Sequence, residues 1–111
     1  MRVMKKSGAL LCPASLGEEE HITYIEVLST SGTPGYEEYF TDVAKAWLDL
    51  GGIPHWQKQW EFLQKEKHLD IFDYIRKKYG KNIDTFLRVR DQLNLDPNDL
   101  FMNDTMKQVL K

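Results

Sequence analysis

ITYIEVLSTSGTPGYEEYFTDVAKAWLDLGG, residues 22–52, contains a change of period that decides the fold class. Ile22, Thr23, Tyr24, Ile25, Val27 and Leu28 are β-branched, aromatic or aliphatic, which suits a pleated strand. Both of its faces are largely apolar, the pattern of a central, covered strand. From Tyr36 the spacing becomes helical: Tyr36, Tyr39, Phe40, Val43, Trp47 and Leu50 return at three and four residues and form a core-facing stripe. Ser31-Gly32-Thr33-Pro34-Gly35 is the turn between them, with Thr33 as the expected cap and Pro34 in the first helical position. Glu37 and Glu38 suit the positive end of the helix dipole. Gly51-Gly52 ends the helix, because glycine accepts the left-handed conformation found there.

Working outward, Ala9-Leu10-Leu11-Cys12 is a short apolar run that Pro13 ends, and residues 1–30 as a whole read as strand. Gly17 to Glu20 is an acidic turn. Residues 53–69 follow no period. Asp70 is expected to cap a helix holding Phe72, Ile75 and Tyr79 and closed by Gly80. Asn82 is expected to cap the next, with Ile83, Phe86, Leu87, Val89 and Leu93. Asp96-Pro97-Asn98-Asp99 is a turn, and a short helix runs from about Asp104 to Leu110. Strands first and helices after predict an α+β fold, a small antiparallel sheet with helices on one face. A sheet of two or three strands is small, which suits a fragment of a larger substrate (cap) domain.

Composition narrows the function. The 111 residues make one small domain, and 41% hydrophobic content with 12% aromatics can fill a core. A net charge of -2 offers nucleic acid no attraction. The mixed run Lys65-Glu66-Lys67 reads as a solvated face. One cysteine, Cys12, excludes an internal disulfide, and its simplest reading is a small buried apolar residue. Scattered His21, His55 and His68 do not make a zinc site. Leu10-Leu11-Cys12 after Lys5 and Lys6 only loosely suggests a lipoprotein leader, since the apolar run is too short. No stretch approaches the ~20 apolar residues of a membrane span, and the default expectation is a cytoplasmic chain.

Gly51-Gly52-Ile53-Pro54-His55-Trp56-Gln57-Lys58 is the segment that periodicity leaves unexplained. Two glycines stop a helix, a proline fixes the chain, and His, Trp and Lys follow on irregular backbone, where function often resides. A lysine there is a compact cation able to stabilise developing negative charge. On residue types alone the same stretch also reads structurally: Trp56 in the core, His55 bonded to a carbonyl, Lys58 in water.

The segment resembles the G-G-x-P-H-W-x-K signature of the aldonolactone oxidases, flavoproteins of the vanillyl-alcohol-oxidase type that oxidise gulono- and arabinono-lactone. Downstream, Phe86, Leu95-Asp96-Pro97, Phe101 and Asn103 resemble that family's closing pattern, with Arg88 or Arg90 as its arginine. Upstream, Arg2 falls where the family has the arginine of a Glu-x-Arg strand, and residues 9–13 and 24–28 resemble its next segments. Gly32-Thr33-Pro34-Gly35 and Pro54-x-Trp56-x-Lys58-x-Trp60 are similar instead to the covalent-flavin sterol (cholesterol) oxidases.

The resemblance implies an FAD-dependent oxidase acting on a CH–OH group of a sugar lactone, alditol or sterol and giving hydrogen peroxide. It assigns Lys58 and Arg2 to catalysis and His55, Trp56, Glu26 and Asn103 to the substrate side. Glu26 also reads as a surface carboxylate. The family's flavin domain precedes this region, so the expectation is a C-terminal substrate-domain segment that does not hold FAD alone. Its flavin-binding domain would be missing or supplied by another chain. A stand-alone non-catalytic binding module and an inactive remnant are the alternatives.

Overall fold

A computed structural model describes residues 1–30, 32–66 and 69–110. Ser31 of the turn, Lys67 of the mixed-charge run and His68 lie outside the described residues. The chain is α+β, with its strands before its helices.

Strand β1 (Arg2–Lys5) pairs antiparallel with β2 (His21–Tyr24). Arg2 faces Tyr24, Val3 faces Thr23, Met4 faces Ile22 and Lys5 faces His21. The Lys6 N–H donates to the Glu20 carbonyl at 2.8 Å and extends the ladder past Lys5. Ile22 and Tyr24 are half-buried while their neighbours His21 and Thr23 are exposed, the alternation of a strand with one face turned inward. The sequence predicted a longer, covered strand over 22–28. Pairing stops at Tyr24 instead, and Ile25 and Leu28 are 53% and 87% exposed. Apolar residues on both faces name a covered strand, but the partner that would cover Ile25–Leu28 is not among the described residues.

Ala9–Cys12 is not a strand either. Cys12 N–H returns to the Ala9 carbonyl at 3.0 Å, and a 3-10 turn over Pro13–Ser15 follows, with Ala14 fully buried. Pro13 opens that turn because its fixed φ fits a helical first position and its missing N–H is not needed there.

Helix α1 spans Tyr36–Asp49. Gly35 precedes it in the left-handed conformation. Thr33, the expected cap, instead donates its hydroxyl to the Thr30 carbonyl at 2.7 Å. The predicted aromatic stripe is only partly a core stripe. Ala44 and Leu48 pack against the core, but Tyr39 is 57% exposed and no residue of α1 is fully buried. Tyr36, Tyr39 and Phe40 meet edge to face, with Phe40 5.8 Å from Tyr36 and 5.9 Å from Tyr39.

The core belongs to the second half of the chain. Helix α2 (Ile71–Tyr79) buries Ile71, Phe72, Ile75 and Tyr79, one stripe at helical spacing. Asp70 caps it as expected, its Oδ1 accepting the Asp73 N–H at 2.9 Å. Gly80 separates α2 from α3 (Lys81–Gln92). Asn82 is therefore inside α3 and not its cap, and its amide donates to Ser15 Oγ at 3.1 Å. Helix α4 (Asp104–Leu110) buries Val109 and Leu110, and α2 packs on it. Arg76 Nε donates to the Val109 carbonyl at 3.2 Å. Trp60, Leu63, Ile83 and Met102 complete the cluster. No helix among the described residues is long and apolar enough to cross a membrane.

Candidate active site

The segment Gly51–Trp60 is where the helical core meets the strands. Gly51 closes α1 with φ +85°, a value that L side chains rarely adopt. Its N–H donates to the Leu48 carbonyl at 2.9 Å, and the Gly52 N–H donates to the Trp47 carbonyl at 2.7 Å. Gly52 is needed for close approach, since a Cβ there would stand 2.8 Å from the Trp47 carbonyl oxygen. The Tyr74 hydroxyl of α2 lies within hydrogen-bond reach of the Gly52 carbonyl (2.8 Å) and the Leu48 carbonyl (3.2 Å). Gly52→Ala is accordingly expected to destabilise the chain by about 2 kcal/mol, a typical penalty for atoms forced into filled space. Urea denaturation of the two chains measures it, and an unchanged midpoint would mean that the backbone yields freely at this junction.

Beyond Pro54 the chain is fastened by its aromatics. Trp56 Nε1 donates to the Leu11 carbonyl at 2.7 Å, which ties the segment to the loop between the strands. The Trp56 ring lies 5.0 Å from Tyr79 of α2. Trp60 is buried, its ring 5.7 Å from Phe72, and its Nε1 donates to the His55 carbonyl at 3.1 Å. That carbonyl also accepts the Lys58 N–H at 3.0 Å, and His55 Nδ1 accepts the Gln57 N–H at 3.2 Å. His55 thus organises the turn with its carbonyl and its ring. Lys58 projects from this turn exposed, and among the described residues its ammonium has no hydrogen-bond or ion-pair partner.

The Tyr79 hydroxyl is buried without a hydrogen-bond partner among the described residues. The Trp56 N–H beside it is already given to Leu11. Burial pushes the Tyr79 phenol well above its usual pKa, and the neighbouring indole only partly offsets this. The hydroxyl therefore stays protonated.

From the strands, Arg2 reaches Glu26, its guanidinium 3.0 Å from Oε1. This places Glu26 in an exposed ion pair, between its two sequence readings of pocket group and surface carboxylate. Directly opposite Arg2, the Tyr24 ring makes an edge contact with His55 at 6.1 Å between centroids. Arg2, Glu26, Tyr24 and His55 are thereby joined through a small set of contacts, while Trp56 faces Leu11 and Tyr79. Asn103 stands apart from them. Its Oδ1 accepts the Met106 N–H at 2.8 Å, so it caps the first turn of α4. Arg90, not Arg88, is the arginine bound to the Asp96 turn, where it donates to the Asp96 carbonyl at 2.7 Å and to Asp99.

Residue types alone did not single out Tyr24, Tyr74 and Tyr79. Each has an ordinary place in a strand or helix, and its role depends on a partner far along the chain. No group of three His, Cys, Asp or Glu side chains gathers as a metal site among the described residues.

The turn carries one exposed cation, Lys58, and the adjoining strand a second, Arg2, already paired with Glu26. A family model that matches residues 1–109 gives this a chemical class, that of the flavin-linked oxidoreductases. The chain belongs to the D-arabinono-1,4-lactone oxidase family. Members of that family are FAD-dependent oxidases. No curated protein and no solved structure matches the chain. The glycine pair does not fit a flavin's phosphates, because both of its N–H groups are spent on α1 carbonyls.

Proposed function

We propose that this region forms the substrate side of an FAD-dependent aldonolactone oxidase, with the flavin held by a domain outside residues 1–111. Bound there, FAD would supply a hydride acceptor for the carbinol carbon and return the electrons to oxygen as hydrogen peroxide, with the hydroxyl proton released to solvent. The chain's own residues deal with the other charge. As hydride leaves, the hydroxyl oxygen becomes more alkoxide-like, and Lys58 and Arg2 steady it. His55 and Trp56 form the wall and support of the turn, and Glu26 keeps the Arg2 guanidinium oriented.

The observation that carries this reading is the Lys58 ammonium, without a partner among the described residues, on a turn held by Trp56, Trp60 and His55. The family match favours a sugar lactone over a sterol. Trp60, one residue of the sterol-oxidase likeness, is buried against Phe72 and so has a packing role here. A substrate-domain segment of a larger sheet also accounts for the unpaired, exposed Ile25 and Leu28.

The test is an enzyme in which this region is joined to its flavin domain and loaded with FAD. D-arabinono-1,4-lactone should give oxygen uptake with matching peroxide, and a sterol should give neither. Absence of turnover with lactones and alditols alike would leave the non-catalytic binding module as the reading to pursue.

A further inference from the structure

Antiparallel register puts the side chains of directly opposed residues on one face. Arg2 and Tyr24 are such a pair, and Glu26 follows two residues after Tyr24, just past the end of β2. Glu26 reaches the Arg2 guanidinium at 3.0 Å. Tyr24 is half-buried there, while Arg2 and Glu26 remain exposed beside it. The Tyr24 ring ends edge-on against His55, centroids 6.1 Å apart and planes at 62°. His55 in turn holds the Lys58 backbone through its carbonyl. The two cations come from positions 2 and 58, and this path of contacts runs between them.

We infer that Tyr24 is a positioning residue that sets Lys58 relative to Arg2 by seating the His55 ring against strand β2. The inference rests on reading this site as the substrate side of an oxidase. Burial, and then the Cys12 thiol, push the Tyr24 phenol above its ordinary pKa, so it remains a neutral aromatic strut. Tyr24 therefore touches the turn after α1 while lying across from Arg2. It does not touch the reacting atoms. Its effect passes through His55 to Lys58, and a shift of about 1 Å in such a group can reduce turnover on the order of a hundredfold.

The experiment is a cycle in the FAD-loaded enzyme carrying this region, comparing Tyr24→Val, Tyr24→Phe, Lys58→Met and the Val/Met double variant. Valine suits a strand and removes the ring. Tyr24→Val is expected to lower kcat about tenfold to a hundredfold, normalised to bound flavin. Phenylalanine keeps the ring and should restore most of that loss. In the Lys58→Met background the same Tyr24→Val change should cost less than about threefold, because the group it acts through is gone. An equal loss in both backgrounds would mean a merely structural tyrosine and would overturn the inference. So would Phe behaving as badly as Val, or Val leaving kcat unchanged.

Magnetic resonance of the 111-residue chain separates this inference from the function it rests on. Cross-relaxation between the Tyr24 and His55 ring protons is expected, with a Lys58 amide signal that moves in Tyr24→Val and holds in Tyr24→Phe. An enzyme inactive on lactones removes the oxidase reading while these signals still decide the positioning. Missing cross-relaxation or an unmoved Lys58 amide overturns Tyr24 itself, whether or not Tyr24→Val folds well enough for kinetics.

Discussion

Asp96→Ala is expected to lower the stability of the chain by about 3 kcal/mol and its melting temperature by roughly 15 °C. Asp96 is the buried charged residue of the Leu95-Asp96-Pro97 turn, 9% exposed. Its Oδ1 accepts the Leu100 N–H at 2.7 Å and its Oδ2 the Phe101 N–H at 3.1 Å. Arg90 stands 3.5 Å from Oδ2, donates to the Asp96 carbonyl and binds Asp99. The backbone here also turns tightly, with positive φ at Asn94 (48°) and Asp99 (53°), residues whose short polar side chains tolerate that region. Alanine would leave two backbone donors without their carboxylate and the Arg90 guanidinium short of a neighbour. Hydrogen bonds to a charged group contribute about 1.5–3 kcal/mol each. Water reaching the exposed Leu100 and Phe101 recovers part of that, which holds the total near 3 kcal/mol. Asp96→Asn, which keeps the shape and one acceptor, should lose less. Thermal unfolding followed by circular dichroism measures both. A fall of under about 1 kcal/mol in Asp96→Ala would show that the turn stands without its carboxylate.

What could be read along the sequence was whatever depends on neighbours along the sequence. Helix α1 was expected from Pro34 to Leu50 and spans Tyr36–Asp49; α4 was expected over Asp104 to Leu110 and spans those residues. Asp70 as a cap and Gly80 as a stop are local signals, and both hold. Ala9–Cys12 misled because four apolar residues carry no period, and the buried Ala14 shows that the adjoining turn is where the loop enters the core. Thr33 and Asn82 have the chemistry of caps, but the cap positions fall on glycines 35 and 80, each two residues away.

At the site, the irregular mount of Lys58 was legible because two glycines and a proline break every period. The pairing of Arg2 with Glu26 was not. Each was singled out for its own reason, and cross-strand register is a nonlocal fact that no spacing encodes. Asp96 and Arg90 show the same limit, since a motif can mark a turn without revealing that its carboxylate fastens the next two N–H groups.

Lys58→Met should separate chemistry from folding in the FAD-loaded enzyme carrying this region. The side chain is exposed and bonded to nothing among the described residues, so methionine, of similar length, should change folding by under about 1 kcal/mol. The backbone mount does not depend on the ammonium: the Lys58 N–H goes to the His55 carbonyl whatever the side chain. Turnover is another matter. If the ammonium meets the carbinol oxygen as charge develops there, its removal costs about 3–4 kcal/mol of transition-state stabilisation, a loss on the order of a hundredfold to a thousandfold in kcat. Arg2, already neutralised in part by Glu26 at 3.0 Å, cannot replace it. Lys65→Met is the matched control. Lys65 ends the short 3-10 segment Glu61–Lys65 on the exposed surface, and its replacement should leave kcat and the denaturation midpoint nearly unchanged. Both quantities are to be measured on one preparation. Near-normal turnover in Lys58→Met would remove the lysine from the site. A collapse of stability would instead make the ammonium part of the fold, despite its exposure, and the braced turn would then have to be explained by what it holds together.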